Sequence, residues 1–68
     1  MKRAELIDKK LRYDGDVWAI AGVGTERDSQ TYLHLVSTTR FRQQRNGPYP
    51  IQACCFVDDE HIQANLEG

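Results

Sequence analysis

The chain has 68 residues, of which 40% are hydrophobic and 28% are charged, and its formal net charge at pH 7 is −1. This length accommodates one small globular domain, and no stretch approaches the roughly 18 apolar residues that a membrane span requires. The first residues carry charges where a secretory signal would need an apolar run, so we expect a cytoplasmic protein that does not bind a membrane.

The first nine residues predict an irregular or helical lead-in to the domain. Ala4, Glu5 and Leu6 favour a helix, whereas the apolar pair Leu6 and Ile7 could lead directly into a strand. The sequence leaves these alternatives open.

The Asp14-Gly15 pair stands between two segments rich in aromatic and β-branched residues and predicts a β-hairpin. Its second strand extends from about residue 17 to 23, the polar stretch 24–30 predicts a loop, and residues 31–37 resume an extended pattern. Trp18 lies in the apolar part of this hairpin, so we expect it in the core rather than at a docking site.

Residues 38–44 favour a fourth strand, although their arginine and glutamine content would also suit a helix. The stretch 46–50 contains one glycine and two prolines and predicts a loop. Residues 51–57 predict a strand whose odd-numbered side chains face the core. Asp58 is positioned to cap a short helical turn, and residues 63–68 are expected to form a frayed tail.

These elements predict an all-β domain spanning residues 1–68, with at most short helical turns near its ends. Five short strands joined by tight turns favour a strongly bent antiparallel sheet that closes into a small barrel. The pattern is similar to that of SH3-like barrels, a resemblance at the level of the fold that implies no particular function.

The most suggestive stretch for function is residues 40–47, which combine arginines and amides around an aromatic ring. Residues 31–56 contain arginines and no acidic residue, so this part of the chain could contact phosphates while an exposed ring stacks on a base. The alternative is a solvated row of arginines that protects a sheet edge. The predicted binding residues are Arg40, Arg42, Arg45, Tyr49, Tyr32 and His34.

The sequence offers little support for catalysis, a metal or a cofactor. The adjacent residues Cys54 and Cys55 point to opposite faces of a strand and are poorly placed to bond to each other, and only His34 and His61 could join them as metal ligands. No nucleophile lies in a motif that supplies a base and an oxyanion site.

We therefore predict a non-catalytic interaction module that binds nucleic acid or an acidic protein surface. Two alternatives stay open. One is a homo-oligomeric enzyme or ligand-binding pore, because the core is thin and a second subunit could add stability. The other is an accessory subunit that docks through Trp18 or the Tyr32 face.

Overall fold

The computed structural model describes residues 5–67 as one antiparallel sheet with a short helix. Its strands are β1 (Lys10–Tyr13), β2 (Asp16–Arg27), β3 (Gln30–Gln44), β4 (Gly47–Asp58) and β5 (Leu66–Glu67), and helix α1 spans Asp59–Asn65. The strand order is β4-β3-β2-β1-β5. No helix in the described range is long and apolar enough to cross a membrane.

The predicted closure into a barrel is not found. Within residues 5–67 the sheet is open, with β4 at one edge and β5 at the other. Register shifts interrupt the pairing of β2 with β3 after Ile20 and after Val23, and such bulges bend a sheet without closing it. The all-β prediction is confirmed, whereas the similarity to SH3-like barrels gains no support.

Two predicted loops are instead parts of strands. The polar residues 24–27 continue β2, and the chain reverses only at Asp28 and Ser29, whose φ angles are 49° and 64°. These positive values at both central positions are those of the turns that suit a twisted hairpin. Gly47, Pro48 and Pro50 form the start of β4, an edge strand that can accommodate proline.

Residues 31–44 form one strand rather than two, so residues 38–44 are extended, as predicted. β3 carries a large irregularity at its middle: Val36 pairs with Gln52 and Phe41 pairs with Pro50, leaving four residues of β3 opposite Ile51. This bulge separates the part of the β3–β4 hairpin that covers the core from a part that extends beyond it.

The core lies on one face of the sheet and is closed by α1. Its buried members are Leu6, Leu11, Trp18, Ile20, Leu33, Leu35, Val57 and Ile62. The prediction for Trp18 is confirmed, and its indole Nε1 donates a 2.8 Å hydrogen bond to the Tyr13 carbonyl. The odd-numbered residues of 51–57 face inward, as predicted, since Ile51, Ala53 and Cys55 pack against this core.

The two ends of the chain are more ordered than expected in their described parts. Leu6 is buried in a turn, so the lead-in contributes to the core, while residues 1–4 lie outside the described range. The helix begins after Asp58, at the predicted position, but continues to Asn65. The predicted cap is wrong in one respect, because the Asp58 carboxylate accepts a hydrogen bond from Gln30 Nε2 at 2.8 Å and none from the helix. Residues 66 and 67 then pair with Leu11 and Lys10 as β5 instead of forming a frayed tail, and Gly68 lies outside the described range.

Candidate functional site

The bulge in β3 is organised by one carboxylate. Asp16 stands immediately after the Asp14-Gly15 turn, and only 3% of its side chain is exposed. Its oxygens accept hydrogen bonds from the Val17 amide at 2.7 Å, from Ser37 Oγ at 2.6 Å and from Thr39 Oγ1. A buried carboxylate with this many donors fixes the backbone that carries them.

Ser37 links residues of the bulge to one another. Its hydroxyl oxygen accepts hydrogen bonds from the Thr39 amide at 3.2 Å and from the Arg40 amide at 2.9 Å. Thr38 Oγ1 donates to the Val17 carbonyl at 2.7 Å. The three hydroxyls of the bulge are therefore all hydrogen-bonded, within the bulge or to the first residues of β2.

Arg40 belongs to this network. Its Nε lies 3.3 Å from Asp16 Oδ2, and its NH2 group donates to the Asp14 carbonyl at 3.3 Å. Hydrogen bonds from Ser37 and Thr39 hold the pKa of Asp16 below its ordinary value, and the amide of Val17 and the charge of Arg40 act in the same direction. Of the three predicted arginines, Arg40 thus has a structural partner.

Residues 41–50 extend beyond the bulge as a two-stranded hairpin, which we call the arm. The chain reverses at residues 45 and 46, and the positive φ of 117° falls on Gly47. Phe41 is 54% exposed and Tyr49 is 43% exposed, so neither ring contributes to the core. The arm is a solvent-facing projection rather than a part of the packed domain.

One face of the arm combines a cation, an amide and a ring. Arg42 pairs with Tyr49 across the two strands, and Gln44 pairs with Gly47. Cross-strand partners have Cβ atoms about 4.5–5.5 Å apart, so the Arg42 and Tyr49 side chains leave the same face of the arm side by side. A groove of about 260 Å³ lies along Arg42, Gln44, Tyr49, Pro50, Ile51 and Gln52.

The arm is basic because the sequence places no acidic residue between Asp28 and Asp58. Within residues 5–67, the ion pairs are Arg12 with Glu67 and Arg40 with Asp16, so neither Arg42 nor Arg45 is in one. Two arginines that need no intramolecular carboxylate are available to an anion in solution.

Tyr32 and His34, which the sequence analysis grouped with Tyr49 as binding residues, do not lie beside it. Tyr49 continues the face of Ile51, whereas Tyr32 pairs with Phe56 on the other face of the sheet. The Tyr32 and Phe56 rings meet edge to face at 5.1 Å, and the Arg27 guanidinium lies 4.5 Å above the Phe56 ring. His34 Nε2 is 2.8 Å from Gln52 Oε1, which also belongs to this second face.

A separate cleft of about 350 Å³ lies between the β1–β2 turn and α1. At its wall, His61 Nε2 donates to the Arg12 carbonyl at 2.9 Å, and the His61 ring meets Tyr13 edge to face. A hydrogen bond with Cys55 raises the pKa of Tyr13 above its ordinary value, and burial adds to this effect. The polar groups of this cleft thus bind one another and hold α1 against β1.

Residues 5–67 contain no group of three or more His, Cys, Asp or Glu side chains arranged to hold a metal ion. No protein-family model matches the chain, and no curated protein or solved structure matches it significantly. The arrangement of side chains is therefore the basis for any assignment of function.

Sequence reasoning missed the Asp16 network and the part that Gln44 takes in the arm face. The signal for Asp16 was its place immediately after the Asp14-Gly15 turn, where its carboxylate faces the bulge in the middle of β3. The position of Gln44 beside Arg42 and Tyr49 depends on how the two strands of the arm pair. The sequence did not predict this pairing, because Pro48 and Pro50 indicated a loop.

Proposed function

We propose that the arm binds single-stranded nucleic acid and that the chain acts as a non-catalytic interaction module. The observation that carries the proposal is the cross-strand pair of Arg42 and Tyr49 on an exposed hairpin without acidic residues. This pair combines the two chemistries that single strands need, a cation for the phosphate and a ring for the base.

The surrounding residues fit the same ligand. Gln44 follows Arg42 on the same face and offers an amide that can donate and accept hydrogen bonds. Arg45 at the tip adds a second cation that can follow the backbone of a strand. Bases splay out of single strands, and an exposed phenol ring stacks on them with little preference for sequence.

The balance of charge limits the affinity. The isoelectric point of about 6.0 is far from that of a strongly basic nucleic-acid-binding domain, so binding depends on the arm rather than on the whole surface. Two available arginines and one ring favour micromolar affinity and weak discrimination among sequences.

The test is a fluorescence anisotropy titration of a labelled, mixed-sequence single-stranded DNA at several salt concentrations. We expect micromolar binding whose log-log dependence on salt has a slope of about −1.4, because two phosphate contacts each contribute roughly −0.7. The absence of binding at low salt would overturn the proposal.

A matched pair of variants locates the site. Tyr49→Leu removes the ring of the arm, and we expect it to weaken binding about tenfold, since stacking of one base contributes about 1–3 kcal/mol. Tyr32→Leu is the control, because Tyr32 has a similar exposure, 37%, and lies on the other face. Equal effects of the two changes would exclude the arm as the site.

An acidic protein surface is the other partner that the arginines could fit. A polyglutamate chain has carboxylates but no bases, so it competes with the oligonucleotide for Arg42 and Arg45 without using Tyr49. Binding of polyglutamate with no binding of the oligonucleotide would assign the arm to acidic proteins instead.

A further inference from the structure

Strand β4 forms a long edge of the sheet, and its middle part lacks the features that keep such edges from pairing. Residues 51–57 contain neither a charge nor a proline. Within residues 5–67, β4 pairs with β3 alone. Proteins normally block an edge of this kind with charged residues, prolines or a covering element.

The two prolines of β4 indicate which main-chain groups face outward. A proline within a strand occupies a position where the missing N–H would have pointed away from the neighbouring strand. Pro48 and Pro50 are paired with Gln43 and Phe41 of β3, so even-numbered residues of β4 direct their main-chain groups to the open edge. Gln52, Cys54 and Phe56 therefore present a row of N–H and C=O groups there.

The two ends of β4 lie near side chains of opposite charge. One end of this strand belongs to the arm, with Arg42 and Arg45. The other end meets the β2–β3 turn, where the Asp59 amide donates to the Ser29 carbonyl at 2.9 Å. The charged residues around that end are Glu26, Arg27, Asp28, Asp58, Asp59 and Glu60.

We propose that two copies of the chain pair through their β4 edges, antiparallel, about a two-fold axis at Cys54. Antiparallel pairing sets the basic arm of each copy beside the acidic end of the other, whereas parallel pairing would place like charges together. The uncharged stretch 51–57 has Cys54 at its centre, so this register gives the longest overlap that avoids the prolines.

In this register Cys54 lies opposite Cys54 of the second copy, Gln52 lies opposite Phe56, and Ile51 lies opposite Val57. The outward main-chain groups form about six hydrogen bonds between the copies. At each end Tyr49 of one copy comes opposite Asp59 of the other. The result is a continuous sheet of two protomers with an isologous interface.

The first measurement is sedimentation equilibrium of the complete chain at low and at high salt. We expect a mass of about twice 7.8 kDa at high micromolar concentration in about 20 mM salt, and a dissociation constant that rises as salt screens the end charges. A monomer at millimolar concentration and low salt would overturn the proposal.

The second measurement uses disulfide formation to test the register. In the Cys55→Ala variant, Cys54 is the remaining cysteine, and its partner's Cα lies about 5.5 Å away, within the range for a disulfide. We expect oxidation with diamide to yield a covalent dimer. A variant with cysteine at position 52 instead, Gln52→Cys with Cys54→Ser and Cys55→Ala, should stay monomeric in a denaturing gel because the two thiols are roughly 13 Å apart along the strands.

A further pair of variants distinguishes a loss of dimerisation from a loss of folding. Cys54 is exposed, so Cys54→Lys and Cys54→Ser should both fold. Only the lysine puts like charges directly opposite each other, and we expect it to weaken the dimer about fivefold or more relative to the serine variant. Equal dissociation constants would exclude this edge and this register.

These measurements contain no oligonucleotide, so their outcome is separate from that of the proposed function. A monomer that binds single-stranded DNA through Tyr49 would overturn the dimer alone. A dimer that binds no oligonucleotide would overturn the nucleic-acid proposal alone.

Discussion

At the scale of single residues, Asp16 connects three parts of the fold. Its carboxylate accepts hydrogen bonds from the start of β2 and from two hydroxyls of the β3 bulge, and it contacts Arg40. A neutral amide at this position would offer one acceptor oxygen and place an NH2 group against donors. The conformation of the β3 bulge, from which the arm extends, therefore depends on a charged side chain.

We expect Asp16→Asn to lower the melting temperature of the protein by about 5 °C or more, because hydroxyl donors lose their acceptor. Asp14→Asn is the control, since Asp14 is an exposed turn residue with a φ of 50°, a conformation that asparagine tolerates well. Thermal unfolding followed by circular dichroism measures both, and similar melting temperatures for the two variants would contradict the role of Asp16.

The same residue predicts a dependence on pH. The pKa of Asp16 is lower in the folded state than its ordinary value of 3.8, so its stabilising effect is present above that value and is lost as the pH falls through the folded-state pKa. The difference in urea midpoint between the native chain and Asp16→Asn should be constant from pH 7 to about 5 and should shrink below pH 3.8. A difference that does not change with pH would show that the carboxylate charge has no part in it.

At the scale of elements, the β2–β3 turn contains a local conflict between sequence and conformation. Ser29 has a φ of 64°, a left-handed conformation in which glycine is favoured over residues with a Cβ atom. The Ser29 carbonyl accepts the hydrogen bond from Asp59, so the contribution of this residue to the helix junction comes from its backbone.

Ser29→Gly should therefore stabilise the protein by about 0.5–1 kcal/mol, with the gain limited by the added freedom of the unfolded chain. The reverse change in the β1–β2 turn, Gly15→Ser, should destabilise it by a similar amount, because Gly15 has a φ of 75° and nothing lies within 4 Å of an added Cβ. Urea unfolding measures both, and a loss of stability in Ser29→Gly would mean that its side chain has an unrecognised contact.

Local patterns predicted the elements wherever one signal dominated. The Asp14-Gly15 turn and the alternation of residues 51–57 follow from turn and pleat chemistry, and both are found. The helix starts after Asp58 as predicted, but the Asp58 side chain makes no capping hydrogen bond. Residues 24–27 and 47–50 were predicted as loops because their polarity, glycine and prolines are those of loops. They are strands because pairing with β3 decides their conformation, which no local pattern reveals.

The candidate site was predictable in its residue types and less so in its geometry. The sequence alone identified the arginines and Tyr49 as candidate binding residues. That Arg42 and Tyr49 lie side by side depends on the register of the arm, which the sequence did not predict. The separation of Tyr32 and His34 from Tyr49 depends on which face is buried, and Arg40 is bound by Asp16, a residue far from it in sequence.

At the scale of the whole molecule, a small set of apolar contacts holds the helix to the sheet. Ile62 is the buried residue of α1, with 1% of its surface exposed. Beyond it the chain reaches β5, so the docking of the helix also determines whether Leu66 and Glu67 pair with β1.

We expect Ile62→Ala to destabilise the protein by about 3 kcal/mol, since it removes a buried side chain and leaves a cavity. Domains of this size have a total stability at the low end of about 5–15 kcal/mol, so a large fraction would be lost. Gln63→Ala, an exposed change in the same helix, is the control. If urea unfolding gave both variants the same free energy, α1 would not be required for the fold.

The bulge at residues 37–40 has a consequence for how the molecule can be altered. The pairs of residues 30–36 and those of 41–44 are in separate registers on β4. A change in the length of the arm therefore need not alter the pairing of residues 30–36. A segment inserted between Arg45 and Asn46 would lengthen the arm while the Asp16 network keeps its pairing. The fold thus offers a site for grafting foreign recognition hairpins, with the buried residues left as they are.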